Sequence, residues 1–415
     1  MVDDDVFPAQ ASFATVESQT PDIKSVQRRA VQEEGLIRCR LNPTVLLIGS
    51  IVLCFSCLAE SQQGPKPELN ASREVSGAIE NTKLHSAALE KNKLGDPADQ
   101  DVAVYLPPSY RSSGAKRYPS LYLLHGFDSN IRAWTTHGYQ EMNLQQSMDA
   151  LIAAGEVREM IVVVPNGRNA YLGSFYTNSV VSGGWEDFVD RDLLAYIDAH
   201  YRTIPQAASR GVAGHSMGGY AAIMMGMKHP ELFGAVYAMS PCCLGMAGDL
   251  TSANPSWRAA LAVKDKELFD KDPQSVEQFW TDVFLSLAAA FSPNPSRTPL
   301  YVDLPYREQN GGLIPNEPAW TEWHEKMPLE IVSNYGTNLL QLRGLVIDYG
   351  MQDDFSHIPL TAQLFSEKLT QLGIPHVLAA YRGDHADHIR ERFETMALPF
   401  FSRVLARQAS SLPTP

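Results

Sequence analysis

Cysteine is scarce in this chain of 415 residues, which contains five in all. Three of them, Cys39, Cys54 and Cys57, lie close together near the N-terminus, and the other two are the adjacent Cys242 and Cys243. Adjacent cysteines rarely form a disulfide without strain, and the spacing matches neither a disulfide framework nor a zinc site. We therefore expect Cys242 and Cys243 to be buried thiols, and we expect no metal site.

Positive charge is also in short supply. The chain has 34 Lys and Arg against 47 Asp and Glu, a net charge of -13. Binding to nucleic acid depends on clustered basic side chains, so this balance argues against a nucleic-acid partner. The hydrophobic content of 44% is enough for a sizeable core in a chain of this length.

The apolar run near the N-terminus, about residues 44–59, is shorter than the ~20 residues that a membrane-spanning helix needs. Arg38 and Arg40 precede this run and small residues follow it, which is typical of a secretory signal cleaved after Ala59. An uncleaved anchor is the alternative. We expect a secreted or periplasmic protein with no transmembrane segment beyond this signal or anchor.

The composition divides the rest of the chain. The first residues are polar and precede the signal, so we expect the true translation start to lie after them. We predict a polar extension at 1–35, a signal or anchor at 36–59, a linker at 60–77, one folded domain at 78–405 and a tail at 406–415.

Strand and helix patterns alternate along the predicted domain, which favours an α/β fold. Two strands are predicted near its start, at 77–89 and 101–110. Nearly continuous apolar runs, typical of buried parallel strands, occupy 118–127, 159–167, 211–216, 234–241, 342–350 and 376–383. Helical patterns occupy 143–157, 185–201, 217–230, 358–373 and 387–406. We predict a mostly parallel central sheet flanked by helices, with ligands at the carboxyl ends of the strands.

The region 244–340 interrupts this alternation. It combines a helical stretch at 275–291 with a proline-rich segment at 292–306. We interpret it as a largely helical cap inserted over the active face; a remote decoration is the alternative.

The sequence Gly214-His215-Ser216-Met217-Gly218 closes one predicted strand and opens a helix. A G-x-S-x-G turn of this kind holds a serine at the strand end, where the following helix favours negative charge. The motif alone is weak, and a tightly packed turn would also explain it. In this context we predict that Ser216 is a nucleophile.

A nucleophilic serine needs a base that is oriented by an acid. Acidic residues follow the strand at 342–350, and we predict Asp353 as the acid, with Asp354 and Asp348 as alternatives. Histidines follow the next strand, and we predict His385 as the base. His388 is the alternative there.

The reaction also needs two N–H donors for an oxyanion. We predict the backbone N–H groups of Met217, which follows the nucleophile, and of Phe127, which follows the strand at 118–127. Gly126 allows a close approach of the backbone. His125 is either a structural hydrogen-bonding residue or part of the site.

Several segments resemble the putative-esterase family of α/β-hydrolases. They are "YLLHGF", "GSFYTNS", "WEDFV", "YRTIPQAASRGVAGHSMGGYAA", "KHPELFGAVYAMSP" and the late "GDH". The resemblance covers about 78–240 and 340–405. Enzymes similar to this family are esterase D (S-formylglutathione hydrolase), feruloyl and acetylxylan esterases, and the antigen 85 mycolyltransferases.

The resemblance implies an α/β-hydrolase fold, with Ser216, Asp353 and His385 as the catalytic triad. It also implies that the active-site cleft is flanked by two segments, one that contains Tyr176 and one formed by Trp185 and Glu186. We therefore expect His125, Gly126, Tyr176, Trp185 and Glu186 to contact substrate, with core packing as the alternative for Tyr176 and Trp185. The insertion at 244–340 departs from the family and leaves the substrate class open.

The resulting hypothesis is a secreted serine carboxylesterase that acts on a small ester, carbohydrate-linked esters included, without metal or cofactor. An acyltransferase to a sugar hydroxyl would share the acyl-enzyme. An inactive binding protein and a peptidase are further alternatives. The sequence does not indicate an oligomeric state.

Overall fold

The computed structural model describes residues 76–266 and 273–407. The predicted N-terminal extension and signal or anchor lie outside the described residues, as do most of the linker and most of the tail.

Twelve strands occur in this described part of the chain, and eight of them form one sheet. In chain order the strands are β1 (Ala78–His85), β2 (Asp99–Leu106), β3 (Ser120–Leu124), β4 (Ile161–Pro165), β5 (Asn178–Ser179), β6 (Gly183–Gly184), β7 (Arg210–His215), β8 (Ala235–Met239), β9 (Tyr306–Gln309), β10 (Gly312–Pro315), β11 (Gly344–Gly350) and β12 (Val377–Tyr381). The large sheet has the order β1-β2-β4-β3-β7-β8-β11-β12. β2 pairs antiparallel with both β1 and β4, and all other pairings are parallel.

The mostly parallel sheet confirms the predicted fold class. Every residue of β3, β4, β7 and β8 is buried, as their continuous apolar runs indicate. β12 differs, because it lies at the edge of the sheet. Its side chains are half-buried or exposed, and Val377 is 54% exposed.

Helices cover both faces of the sheet. The α-helices are Arg132–Thr135, Leu144–Ala153, Trp185–Asp187, Leu194–His200, Met217–Lys228, Ser256–Ala262, Val276–Phe291, Ala319–His324, Pro328–Ile331, Gly336–Leu339, His357–Gln371, Ile389–Arg392 and Leu398–Val404. Two of the predicted helices, 185–201 and 387–406, contain π-helical segments at Phe188–Leu193 and Phe393–Ala397.

Side chains alternate between the two faces of each strand, so the sheet separates two apolar clusters. Val212 packs on one face with the helices Met217–Lys228 and Val276–Phe291. Ala213, its neighbour in β7, packs on the other face with Leu144–Ala153 and the C-terminal helices. Met217–Lys228 is buried along nearly its whole length, which its apolar character on all sides predicts.

The region between β8 and β11 contains the long helix Val276–Phe291. Ser275 is the N-cap residue of this helix, and its side chain accepts a hydrogen bond from the Gln278 N–H at 3.1 Å. Trp257 stacks on Phe284 with ring centroids 3.5 Å apart, so the region packs around aromatic residues. The hairpin β9–β10 also lies here and was not predicted.

Within the described ranges, no helix combines the length and apolar character that crossing a membrane requires.

Candidate active site

Ser216 occupies a strained turn between β7 and the helix Met217–Lys228. Its φ of 56° lies in the left-handed region, which is unusual for a residue other than glycine. A Cβ on Gly214 would lie 2.4 Å from the Gly218 carbonyl carbon, and a Cβ on Gly218 would lie 2.4 Å from the Leu124 oxygen. Both flanking positions therefore require glycine.

The backbone of Ser216 is firmly held. Its N–H donates to the Met239 carbonyl at 2.9 Å, and its own carbonyl accepts from the N–H groups of Tyr220 and Cys242 at 3.0 and 3.2 Å. These bonds fix the serine between the ends of β7 and β8. Its side chain lines a cavity at this edge of the sheet.

Asp353 and His385 form a hydrogen-bonded pair. They follow β11 and β12, and His385 Nδ1 lies 2.9 Å from Asp353 Oδ2. The second carboxylate oxygen of Asp353 accepts the Phe355 N–H at 2.9 Å. Because a carboxylate only accepts, the shared proton belongs to Nδ1, which leaves Nε2 as the basic nitrogen.

Burial sets the charge of this pair. It lowers the pKa of His385, and the nearby His357 and Arg392 lower it further. The imidazole is therefore neutral near pH 7, as a proton acceptor must be. Burial raises the pKa of Asp353, while the hydrogen bond from Phe355 opposes that shift.

The alternative acids and base have other surroundings. Asp348 is buried and accepts hydrogen bonds from Arg392 and from the Tyr237 hydroxyl, the latter at 2.9 Å. Asp354 is exposed. His388 Nδ1 lies 2.8 Å from Glu391 Oε2 on the surface. None of these three residues lines the cavity beside Ser216.

His215 links the Ser216 turn to the His385 loop. Its Nε2–H donates to the His385 carbonyl at 3.0 Å, and the two imidazole rings lie 4.6 Å apart. Within the described residues, no hydrogen bond joins the Ser216 hydroxyl to His385 directly. Such contacts are often long in unliganded sites and shorten when substrate binds.

The loop after β3 lies against Ser216. A Cβ on Gly126 would be 3.4 Å from the Ser216 Cβ, so glycine lets this backbone come close. The Gly126 N–H donates to the Tyr139 hydroxyl at 2.7 Å. In the described part of the chain, the N–H groups of Phe127 and Met217 have no hydrogen-bond acceptor, so both are available to a ligand.

The side chain of His125 stabilises this loop through two hydrogen bonds to backbone groups. Its Nε2 accepts the Gly167 N–H at 2.8 Å, so its Nδ1 carries the proton and donates to the Gly126 carbonyl at 2.9 Å. The ring is fully buried, and burial lowers its pKa to about 4. With both nitrogens engaged by backbone groups, His125 positions the loop and has no free atom for a substrate.

The residues expected around the cleft have partners of their own. The Tyr176 hydroxyl accepts the His125 N–H at 3.1 Å, and the Trp185 indole N–H donates to the Ser182 carbonyl at 2.8 Å. Glu186 lies 2.7 Å from Lys228 Nζ. Tyr176, Trp185 and Glu186 do not line the cavity beside Ser216. The contacts of Tyr176 and Trp185 are those of packing residues, and Glu186 belongs to an ion pair.

The cavity beside Ser216 is narrow, about 40 Å³, and strongly aromatic. Phe279 stacks on Phe355 with ring centroids 5.5 Å apart, and Phe355 meets the edge of His385 at 4.7 Å. The lining consists of Phe127, Phe175, Ser216, Cys242, Cys243, Leu250, Phe279, Trp280, Val283, Phe355 and His357. Four of these residues (Leu250, Phe279, Trp280 and Val283) belong to the insertion predicted at 244–340, and none of the four was predicted from the sequence as a site residue.

One cluster in the described residues has the donor types of a metal site. Glu186, Asp190 and His229 each place one ligand atom within 4.8 Å of the others. Lys228 already supplies a positive charge to Glu186, and His229 Nε2 lies 3.0 Å from Asp190. The cluster is therefore an ion-pair network on its own.

The sheet topology, the strained serine turn and the acid–histidine pair at the following strand ends define an α/β-hydrolase. The chain belongs to the family described as "Putative esterase", whose model matches residues 97–391.

Two curated relatives match part of the chain. An esterase of Mycobacterium tuberculosis is 36% identical over 134 residues, which are 31% of this chain and 26% of that protein. An endo-1,4-beta-xylanase/feruloyl esterase of Xylanibacter ruminicola is 31% identical over 138 residues, or 32% of this chain and 18% of that protein. The matches therefore span about a quarter or less of each relative.

Two solved structures share the fold. A ferulic acid esterase is 23% identical with a TM-score of 0.54, over 80% of this chain and 98% of that chain. An S-formylglutathione hydrolase from Agrobacterium tumefaciens is 18% identical with a TM-score of 0.53, over 80% and 97% of the two chains.

Proposed function

We propose that this protein is a serine carboxylesterase in which Ser216, Asp353 and His385 form the catalytic triad. The observation that carries the proposal is the Asp353–His385 hydrogen bond of 2.9 Å, held next to the Ser216 turn by the His215 contact. The resemblance of the chain to esterases supports the same reaction class.

In this mechanism the Ser216 oxygen attacks the ester carbonyl while His385 Nε2 accepts the hydroxyl proton. The N–H groups of Phe127 and Met217 donate to the resulting oxyanion. His385 then gives the proton to the leaving alcohol, which leaves an acyl group on Ser216. A water molecule, deprotonated by the same imidazole, releases the acid. The residues complete the cycle without metal or cofactor.

Asp353 acts through His385. Its carboxylate holds the Nδ1–H tautomer, so Nε2 faces the reaction, and it stabilises the imidazolium that forms during attack. Because the Asp353 side chain is fully buried, water does not compete for this hydrogen bond.

The aromatic lining of the cavity supports an ester with an apolar acyl or alcohol part. The name of the Xylanibacter relative, a feruloyl esterase, makes feruloyl esters candidate substrates, including esters on carbohydrate. The cavity of about 40 Å³ is small for such a group, so we expect the walls formed by Phe279 and Phe355 to move apart on binding.

The test is hydrolysis of p-nitrophenyl acetate, butyrate and octanoate and of methyl ferulate, with wild type beside Ser216→Ala. We expect turnover by wild type and none above background by a folded Ser216→Ala protein, checked by circular dichroism. Equal turnover by the two proteins would contradict the proposal. Product release only in the presence of a sugar acceptor would favour acyl transfer over hydrolysis.

The proposal includes export, on the basis of the arginines and the apolar run at 36–59. N-terminal sequencing of the exported protein should show a start just after Ala59. A mature form that retains residues 1–35 would contradict it.

A further inference from the structure

A second acid–histidine pair lies beside the cavity. His357 begins the helix His357–Gln371, and Asp249 belongs to the turn Gly248–Leu250 between β8 and β11. His357 Nδ1 lies 3.2 Å from Asp249 Oδ2, and the His357 backbone N–H donates to the same oxygen at 3.3 Å. Asp249 therefore fixes both the ring and the start of the helix.

The other nitrogen of His357 is unused. His357 lines the same cavity as Ser216, and its side chain is only 4% exposed. Its Nε2 is buried and has no hydrogen-bond partner within the described residues. A buried polar atom without a partner is costly and rare in native structures, so a ligand in this cavity is the natural source of one.

The proton arrangement determines what His357 can bind. Burial alone would raise the pKa of Asp249, but hydrogen bonds from His357 and Ser356 outweigh it and lower that pKa. The ionised carboxylate accepts from Nδ1–H, so Nε2 is the ring atom left for a ligand. A hydroxyl is the matching group on a ligand, because it can both donate and accept a hydrogen bond.

The position of His357 argues against a role as the base. Phe355 has His385 on one side, at 4.7 Å between ring centroids, and His357 farther away, at 6.4 Å. The contact with His215 joins the Ser216 turn to His385. In the described ranges, no hydrogen bond joins the Ser216 turn to His357. His357 therefore faces a different part of a bound ester.

We propose that His357, oriented by Asp249, is a hydrogen-bonding subsite for a hydroxyl group of the ester substrate. This inference rests on the proposed esterase function and makes His357 a specificity-determining residue. The hydroxyl belongs either to the acyl part, as on a phenol, or to the alcohol part, as on a polyol.

Two substrate pairs distinguish these sources. The acyl pair is methyl 3-phenylpropanoate and methyl 3-(4-hydroxyphenyl)propanoate. The alcohol pair is the ethyl and the 2-hydroxyethyl ester of 3-phenylpropanoate. For wild type we expect a higher kcat/KM for the hydroxylated member of one pair, and that pair identifies the source.

Two variants at His357 form a matched set. His357→Asn keeps an amide N–H near the Nδ1 position, facing Asp249, but has no atom at Nε2. His357→Gln places an amide group near Nε2, which can accept or donate a hydrogen bond there. We expect the preference for the hydroxylated member to fall about tenfold in His357→Asn, the typical value of one hydrogen bond, and to return largely in His357→Gln. Asp249→Asn, measured with its unfolding temperature, should also reduce the preference.

Calorimetric binding of the same esters to Ser216→Ala and to Ser216→Ala with His357→Asn gives a readout that needs no turnover. It separates the two proposals, because failure of the esterase mechanism would leave the binding contrast intact. An unchanged preference in His357→Asn, by rate and by binding, would overturn the subsite. If His357→Asn lost turnover of both esters in a pair as completely as Ser216→Ala does, the subsite would also be overturned. His357 would then be assigned to proton transfer.

Discussion

The imidazole of His215 donates a hydrogen bond from Nε2 to the backbone carbonyl of His385, at 3.0 Å. The residue before the proposed nucleophile thus holds the loop that carries the proposed base. Burial lowers the pKa of each ring, so the two neutral rings lie tilted against each other without mutual repulsion.

His215→Ala tests this contact. Without the donor, the His385 carbonyl loses this hydrogen bond and the loop is free to shift. A misplaced base slows the chemical step more than binding, so we expect kcat to fall about tenfold with a smaller change in KM. His200→Ala, which removes an exposed histidine bonded to the Tyr196 carbonyl, is the control. Wild-type kcat in His215→Ala would contradict the positioning role.

Asp353→Asn and His385→Ala test the acid and the base against their neighbours. We expect each to lower kcat on the order of 10⁴-fold, because the imidazole loses its tautomer or is absent. Asp354→Asn and His388→Ala are matched controls, since both residues are exposed and follow the same strands. The measurement is kcat for p-nitrophenyl butyrate under steady-state conditions. A larger fall in kcat in either control would assign the role of acid or base to that control residue.

The pH profile follows from the charge of His385. Only the neutral imidazole accepts the Ser216 proton, so activity falls as the pH falls through the pKa of His385. Burial lowers that pKa from 6.5, so we expect kcat/KM to be level at pH 6.5 and to decline only at lower pH. A midpoint at or above pH 6.5 would show that the imidazole is not destabilised in its charged form.

Gly218→Ala tests the packing of the serine turn. Its Cβ would lie 2.4 Å from the Leu124 carbonyl oxygen, and backbone must move to relieve the clash. We expect the free energy of unfolding to fall by about 2 kcal/mol or more in urea titrations. Gly336→Ala is the control, because a Cβ there meets nothing within 4 Å, and its stability should equal or exceed that of wild type. Equal stabilities of the two variants would contradict this account of the turn.

The sequence predicted best those features that depend on residues close together along the chain. The buried strands, the glycines around Ser216 and the loops that carry Asp353 and His385 all follow from local patterns, and the fold class and the family were confirmed. The catalytic roles of these three residues stay predictions. The edge position of β12 was missed, because an apolar run does not show how many neighbours a strand has.

The cavity wall could not be predicted for a related reason. Phe279 and Phe355 meet only because the region between β8 and β11 packs against the loop that follows β11. Asp249 and His357 are 108 positions apart, and no local pattern links them. Trp185 and Glu186 lie in family-like segments, but their partners are Ser182 and Lys228, which the motif itself does not reveal.

Trapping the acyl-enzyme tests the central claim most directly. Wild type is mixed with excess p-nitrophenyl butyrate, quenched in acid within milliseconds and digested, and the peptides are analysed by mass spectrometry. The account predicts one butyryl group on the peptide that contains Ser216, and none after the same treatment of Ser216→Ala. A butyryl group on another residue, with none on the Ser216 peptide, would contradict it.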